Sequence, residues 1–159
     1  MKKSKIIGLT TLIVLLGLIT YYFYPEVKLT DGQKADKIVI NKAKHELLLF
    51  YKEELIASYK VSLGRKGLGK KTKEGDNLTP EGRFKGKKKT QTQYHKAIGV
   101  GEWGDCCAVL VHGLGDEYGR FKRFHQWRDW TKGCIALTND EIDEIYKAVN
   151  DGVIIEINP

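Results

Sequence analysis

From Ile6 to Tyr24 the chain carries no charged side chain, and no other stretch limits so sharply what it can become. Wound as a helix, this run is about 28 Å long, enough to cross the hydrocarbon core of a bilayer. Lys2, Lys3 and Lys5 precede it and Tyr21-Tyr22-Phe23-Tyr24-Pro25 closes it, the pattern of a positive inner flank and an aromatic interface belt. It is long for the apolar region of a signal peptide, and no small-x-small cleavage site follows. The expectation is an uncleaved, single-pass anchor over residues 1–24. The lysines then face the cytoplasm, and everything downstream lies in the periplasm or on the outer face of the cytoplasmic membrane. A cleaved secretory signal, the alternative, would export the same domain.

Residues 25–36 read as a polar linker and residues 37–159 as one domain able to bury one modest core. Strand-like runs are expected at Lys37–Asn41, Glu46–Tyr51 and Leu55–Leu63, with Lys52-Glu53-Glu54 as a hairpin turn. Gly64 to Glu81 is rich in Gly, Lys and polar residues, a long loop of the functional or mobile kind. Short strands follow at Arg83–Lys85 and Lys96–Val100, and a clearer one at Cys106–His112. Thr138-Asn139-Asp140-Glu141 is a capping box ahead of Ile142, Ile145, Tyr146 and Val149 on one helical face. Asn150-Asp151-Gly152 stops that helix and Val153–Ile157 is a last strand. The fold class is mostly β, with one packed helix and an N-terminal transmembrane helix.

Lys and Arg number 27 against 20 Asp and Glu, and the excess gathers between Lys60 and Lys89. Beyond the membrane this patch does not meet nucleic acid; anionic lipid, an acidic wall polymer or simple solvation remain. Gly99-Val100-Gly101-Glu102-Trp103-Gly104 matches G-x-G-x-x-G, but a strand follows instead of the helix that seats a pyrophosphate. It reads as a hairpin turn. No metal-ligand spacing exists among His112, His125, Cys106, Cys107 and Cys134, so neither metal nor cofactor is expected. Three cysteines are an odd number, and adjacent Cys106 and Cys107 cannot form an unstrained bridge. A lone thiol in an exported domain calls for a reason, and catalysis supplies one. Cys106 shares a strand face with His112 in this reading, close enough to oxidise with Cys134.

His112-Gly113 ends an apolar strand, and Gly133-Cys134-Ile135 lies shortly downstream. A histidine at a strand end can be aimed rigidly at a thiol. A cysteine after glycine can present its own N–H and its neighbour's to a developing oxyanion. Taken singly, His112 reads as structural and Cys134 as a small core residue; the pair reads as base and nucleophile. His45 and His95 show nothing beyond loop or strand-edge positions. Between the pair, Leu114–Trp130 carries Arg120, Lys122, Arg123, Trp127 and Arg128, one wall of a cleft whose arginines could hold carboxylates. Trp103, Trp127 and Trp130 read as core or cleft lining.

Thr79-Pro80-Glu81-Gly82, Val111-His112-Gly113 and Thr131-Lys132-Gly133-Cys134-Ile135, in that order, resemble the YkuD-type L,D-transpeptidase catalytic domain. The likeness runs from about Lys37 to Ile157. Gly133-Cys134-Ile135-Ala136-Leu137-Thr138-Asn139 is similar to the ErfK/YbiS/YcfS/YnhG and YafK-like branch. The resemblance implies a β-sandwich-like domain whose thiolate attacks peptidoglycan peptide stems. It makes Cys134 the nucleophile and His112 its base, with the Gly113 carbonyl orienting the imidazole. Thr131 takes the Ser/Thr position of the motif, and the N–H groups of Gly133 and Cys134 form the oxyanion hole. Two departures stand out. Lys132 replaces the histidine most members carry before Gly-Cys, and could favour the thiolate by its charge. Ala136 replaces a common Arg or Asn.

The implied reaction joins Cys134 to the third residue of a tetrapeptide stem, releases D-alanine, and passes the acyl group to an amine. The product is a 3–3 crosslink or an attached wall-linked protein. Lys132, Arg128, Trp130 and Arg120 are the expected substrate contacts. A hydrolase with the same thioester, trimming stems or releasing wall-linked protein, is the nearer alternative. A non-catalytic wall-binding module is the more distant one.

Overall fold

The computed structural model describes residues 2–24, 28–89, 93–101 and 109–159. Apolar alternation sets the central strands. In β1 (Lys37–Asn41) and β2 (Glu46–Tyr51), Ile38 and Ile40 pair across the ladder with Leu49 and Leu47, all four fully buried. The hairpin to β3 (Glu54–Lys60) turns on Lys52 and Glu53, at φ 50° and 65°, the left-handed pair that a two-residue type I′ turn demands. The final strand, β8 (Ile154–Asn158), lies parallel to β1 and sets Ile155 and Ile157 beside Ile38 and Ile40.

β4 (Gly82–Lys89) continues the sheet from β8, followed by β5 (Ala97–Val100), β6 (Leu110–His112) and the short β7 (Ile135–Ala136). The eight strands form one sheet in the order β3-β2-β1-β8-β4-β5-β6-β7. Its two ends meet. Ser62, just past β3, exchanges backbone hydrogen bonds of 3.1 and 2.9 Å with Ala136 of β7, and Gly64 bridges Thr131. The sheet therefore curls around a single core and leaves no open edge there. This closure brings the chain after β3 against the Gly133-Cys134 turn.

Helix α1 (Lys2–Phe23) contains Ile6–Phe23, long and apolar enough to cross a membrane, with a mean hydropathy of 2.1. Its last turn touches the domain: Tyr21 and Tyr22 pack on Phe124, and the Tyr22 hydroxyl donates to the Arg120 carbonyl at 3.1 Å. Gly115–Tyr118 is one helical turn, α2, and runs into a 3-10 segment, Gly119–Trp127, kinked at Lys122. These were not expected, because the stretch lacks the apolar periodicity of a longer helix. Helix α3 (Asn139–Ala148) has the expected capping box, with Thr138 accepting from the Glu141 N–H, and buries Ile142, Ile145 and Ala148. β4 is longer than the sequence suggested: Lys85 and Lys87 face solvent while Gly86 faces the core. Of the strand expected over Cys106–His112, Cys106, Cys107 and Ala108 lie outside the described residues, as does Trp103.

Candidate active site

β6 and β7 run parallel, Val111 opposite Ile135 and His112 opposite Ala136. Cys134, one residue before β7, therefore falls beside Leu110. Because side chains alternate along a strand, His112 and Cys134 emerge on the same face. The sheet brings together the expected base and nucleophile, which the sequence separates.

Helix α3 fixes His112 from behind. The Asn139 side-chain oxygen accepts the Leu114 N–H at 2.7 Å and, with Ile142, fills the space a Cβ on Gly113 would need. The His112 Nδ1 lies 2.5 Å from the Gly113 carbonyl oxygen. A carbonyl only accepts, so Nδ1 carries the proton and the lone pair sits on Nε2. Tyr94 lies against the imidazole at 4.2 Å between centroids, and Trp130 meets it edge-on at 6.4 Å. Burial drives the His112 pKa down to about 4, against the opposing pull of the Gly113 carbonyl. The ring is neutral at pH 7.

Burial pushes the Cys134 thiol up; the Leu110 backbone N–H and the charge of Lys71 pull it back. The resting pair is therefore thiol and imidazole. Gly133 has φ +126°, and a Cβ there would lie 2.7 Å from the Leu78 carbonyl oxygen, so only glycine fits. The Thr131 hydroxyl accepts the Gly133 N–H at 3.1 Å and donates to the Cys134 carbonyl at 2.7 Å. It staples the turn and occupies one of the two amides expected to face the oxyanion.

Lys71 is the residue that the sequence did not single out. The residue is 6% exposed, and its ammonium pairs with Asp76 at 2.7 Å. It comes within 3.7 Å of where a Gly133 Cβ would be. Although its own burial works the other way, Asp76 is held well below the usual carboxylate range. Hydrogen bonds from Lys71 and from the Leu78, Lys73 and Thr72 N–H groups hold it there. In sequence Lys71 was one lysine among many in a glycine-rich loop, with no spacing to mark it. Lys132, which the sequence offered for the same electrostatic role, is exposed. The cation whose charge reaches the thiol is Lys71.

A cleft of about 900 Å³ lies beside His112, lined by Gln93, Tyr94, Leu114, Tyr118, Phe121, Phe124, His125, Trp127, Arg128 and Trp130. Arg128 and Trp130 are thus on its wall, while Arg120 and Lys132 are not. Asp129 anchors the segment, accepting the Leu63 N–H at 2.7 Å and pairing with His45 at 2.9 Å. His95 likewise has a partner, Asp143 of α3, at 2.9 Å. His125 enters the cleft near His112, a second imidazole that the spacing of the motif gave no reason to expect.

Residues 35–157 match the family model described as the L,D-transpeptidase catalytic domain. The chain belongs to that family. YafK of Escherichia coli K12, a provisionally assigned L,D-transpeptidase, is 32% identical over 105 residues, which cover 64% of this chain and 40% of YafK. The chain thus spans under half the length of that curated relative. Pgp2 of Campylobacter jejuni, a helical cell shape determining protein, superposes in its K307A form with a TM-score of 0.60 at 20% identity. That match covers 79% of this chain and 47% of Pgp2. L,D-transpeptidase 1 of Mycobacterium tuberculosis gives 0.54 at 20% identity, covering 79% and 62%. These structures share the fold of the L,D-transpeptidase domain. The mostly β class expected from the sequence agrees with them.

Proposed function

We propose that this chain is a cysteine acyltransferase of the cell wall, an L,D-transpeptidase acting on peptidoglycan tetrapeptide stems. The observation that carries this reading is the imidazole of His112. Its proton is fixed on Nδ1 by the Gly113 carbonyl, which leaves the lone pair on Nε2, and His112 shares a strand face with Cys134.

As the Cys134 sulfur bonds to the carbonyl carbon of the third stem residue, His112 Nε2 takes the thiol proton. The proton passes to the leaving nitrogen, the amide C–N bond breaks, and D-alanine departs. An amine of a second stem, or of a wall-linked protein, then attacks the thioester carbon. The new C–N bond forms, the C–S bond breaks, and the amine's proton returns to sulfur through His112. Exchanging one amide for another needs no outside energy. The Cys134 N–H and the Lys71 charge are the groups this reading assigns to the developing negative charge. Water in place of the amine gives the hydrolase.

Helix α1 serves in this reading as a single-pass membrane anchor, placing the site outside the cytoplasmic membrane beside its substrate. The test is incubation of the full chain in detergent with tetrapeptide muropeptides, read by mass spectrometry beside Cys134→Ala. Crosslinked dimers with D-alanine release, absent in the variant, are expected. Cysteine-dependent trimming without dimers moves the assignment to hydrolase, and no turnover by either protein removes the enzyme reading.

A further inference from the structure

The end of helix α1 and the segment Gly119–Trp127 meet through rings. Phe124 lies 5.6 Å from Tyr21 and 6.1 Å from Tyr22 between centroids, and Trp127 lies 5.0 Å from Phe124. Lys122 stands over the Tyr22 ring at 5.4 Å, and Arg123 over the Tyr24 ring at 5.1 Å. The Tyr22 hydroxyl bonds to the Arg120 carbonyl. One wall of the cleft is thereby tied to the apolar helix, about a hundred residues away in sequence.

That contact sets a height. The apolar span is Ile6–Phe23, and at about 1.5 Å per residue Tyr21 and Tyr22 lie within about 3 Å of its end. With α1 across a bilayer, this end stands where the acyl chains give way to the headgroups, a layer about 5–7 Å thick on each side. A ring in contact with Tyr21 lies at that level or just above it.

The residues of the segment suit that layer. Tyr118, Phe121 and Trp127 are 53%, 50% and 65% exposed, and Phe23 and Tyr24 at the end of α1 are exposed as well. From Gly119 to Arg128 the chain carries Arg120, Lys122, Arg123 and Arg128 and no carboxylate. Tryptophan and tyrosine settle at the headgroup level, and basic side chains close to a membrane are drawn to anionic lipid. Exposed rings alone suit stacking on a sugar equally well. The height and the run of cations favour lipid.

We propose that the segment Gly119–Trp127 sits in the outer headgroup layer of the membrane, with Phe121 and Trp127 at the acyl boundary and its cations beside lipid phosphates. Phe121, Phe124 and Trp127 also line the cleft beside His112, so peptide stems reach the cleft at the bilayer surface. This rests on the reading of α1 as the anchor, from which the experiment separates it.

The full chain is reconstituted into vesicles of phosphatidylethanolamine and phosphatidylglycerol whose acyl chains carry bromine either near the headgroup or near the methyl end. Bromine quenches only the tryptophan it touches. Shallow bromine is expected to quench part of the emission and deep bromine less, and Trp127→Phe should abolish the shallow part. Phe121→Trp, at an exposed position, should add a second quenched emitter, and it serves should Trp127→Phe fail to fold. Shallow quenching that neither variant alters, in chain that resists an alkaline wash, overturns the lipid seat and leaves the anchor standing. Release by the wash, with Trp127 quenched beforehand, overturns the anchor and leaves the seat. Trp127 emission that shifts with the peptidoglycan disaccharide in detergent and ignores bromine overturns the seat in favour of a sugar.

Discussion

Two long connections flank Cys134, and they are built from different materials. The one from Val61 to Glu81 is held by charge and backbone. Fully buried Lys42 reaches Glu81 at 2.6 Å and the Leu68 and Gly69 carbonyls, Thr79 accepts the Gly64 N–H, and Lys71 pairs with Asp76. The one from Leu114 to Trp130 is held by ring edges, with Phe124 on Trp127 at 5.0 Å and Trp130 between two imidazoles. The first delivers a fixed cation to the nucleophile. The second shapes a cleft. A reacting atom needs a field that does not move, whereas a binding wall must exchange water for ligand.

The sharpest way to break this comparison is Lys71→Met. It removes the charged partner of Asp76, a half-buried carboxylate that keeps its backbone N–H donors, at a cost of about 1.5–3 kcal/mol. Chemical denaturation should show that loss, and iodoacetamide titration should show the thiol of Cys134 moving to higher pH. The double variant Lys71→Met/Asp76→Leu should recover stability without recovering thiol reactivity. If reactivity returns with stability, Lys71 is a clamp and nothing more.

Acid should separate the two connections next. His112 and His125 both titrate near 4 in the folded protein against an ordinary 6.5. Their contribution to stability is full above pH 6.5, and it is lost as pH falls towards 4, when the unfolded chain binds more protons. The maximal slope is about 1.4 kcal/mol per pH unit for each buried imidazole. Asp76, with its value lowered, keeps its contribution above the ordinary carboxylate range and loses it only below. Hydrogen exchange at pH 5 should therefore open residues 114–130 before residues 64–81. The reverse order would contradict the division of labour.

The smallest effect is expected where the two connections join. Thr131→Val deletes a hydroxyl that pairs with both Gly133 and Cys134, at a cost of about 1 kcal/mol by thermal melting. The variant should lower turnover on muropeptides while leaving tetrapeptide affinity for the Cys134→Ala chain unchanged. A change in affinity would place Thr131 in the binding wall instead of the turn.

Much of the scaffold could be read from local pattern. Ile38, Ile40, Leu47 and Leu49 alternate, Thr138 and Glu141 cap α3, and the charge-free run from Ile6 forms one helix, because each signal acts between near neighbours. The 3-10 segment escaped because its aromatic and basic residues follow no period, and its contacts are with distant parts of the chain, Ser62 and the end of α1. β4 outran its expected length because pairing with β5 and β8 outweighs the weak strand preference of lysine and glycine.

The sequence by itself carried the expected chemistry: a thiol after glycine, a histidine before glycine, and the order of the motifs. Only the tertiary structure decided their surroundings. It set the imidazole tautomer through Gly113, chose Lys71 over Lys132 as the cation, and brought His125 into the cleft. The reason is reach. Motifs act through bonds to adjacent residues, whereas electric fields and buried polar atoms depend on what the closing sheet brings from far along the chain. Here that closure is the bridge between Ser62 and Ala136.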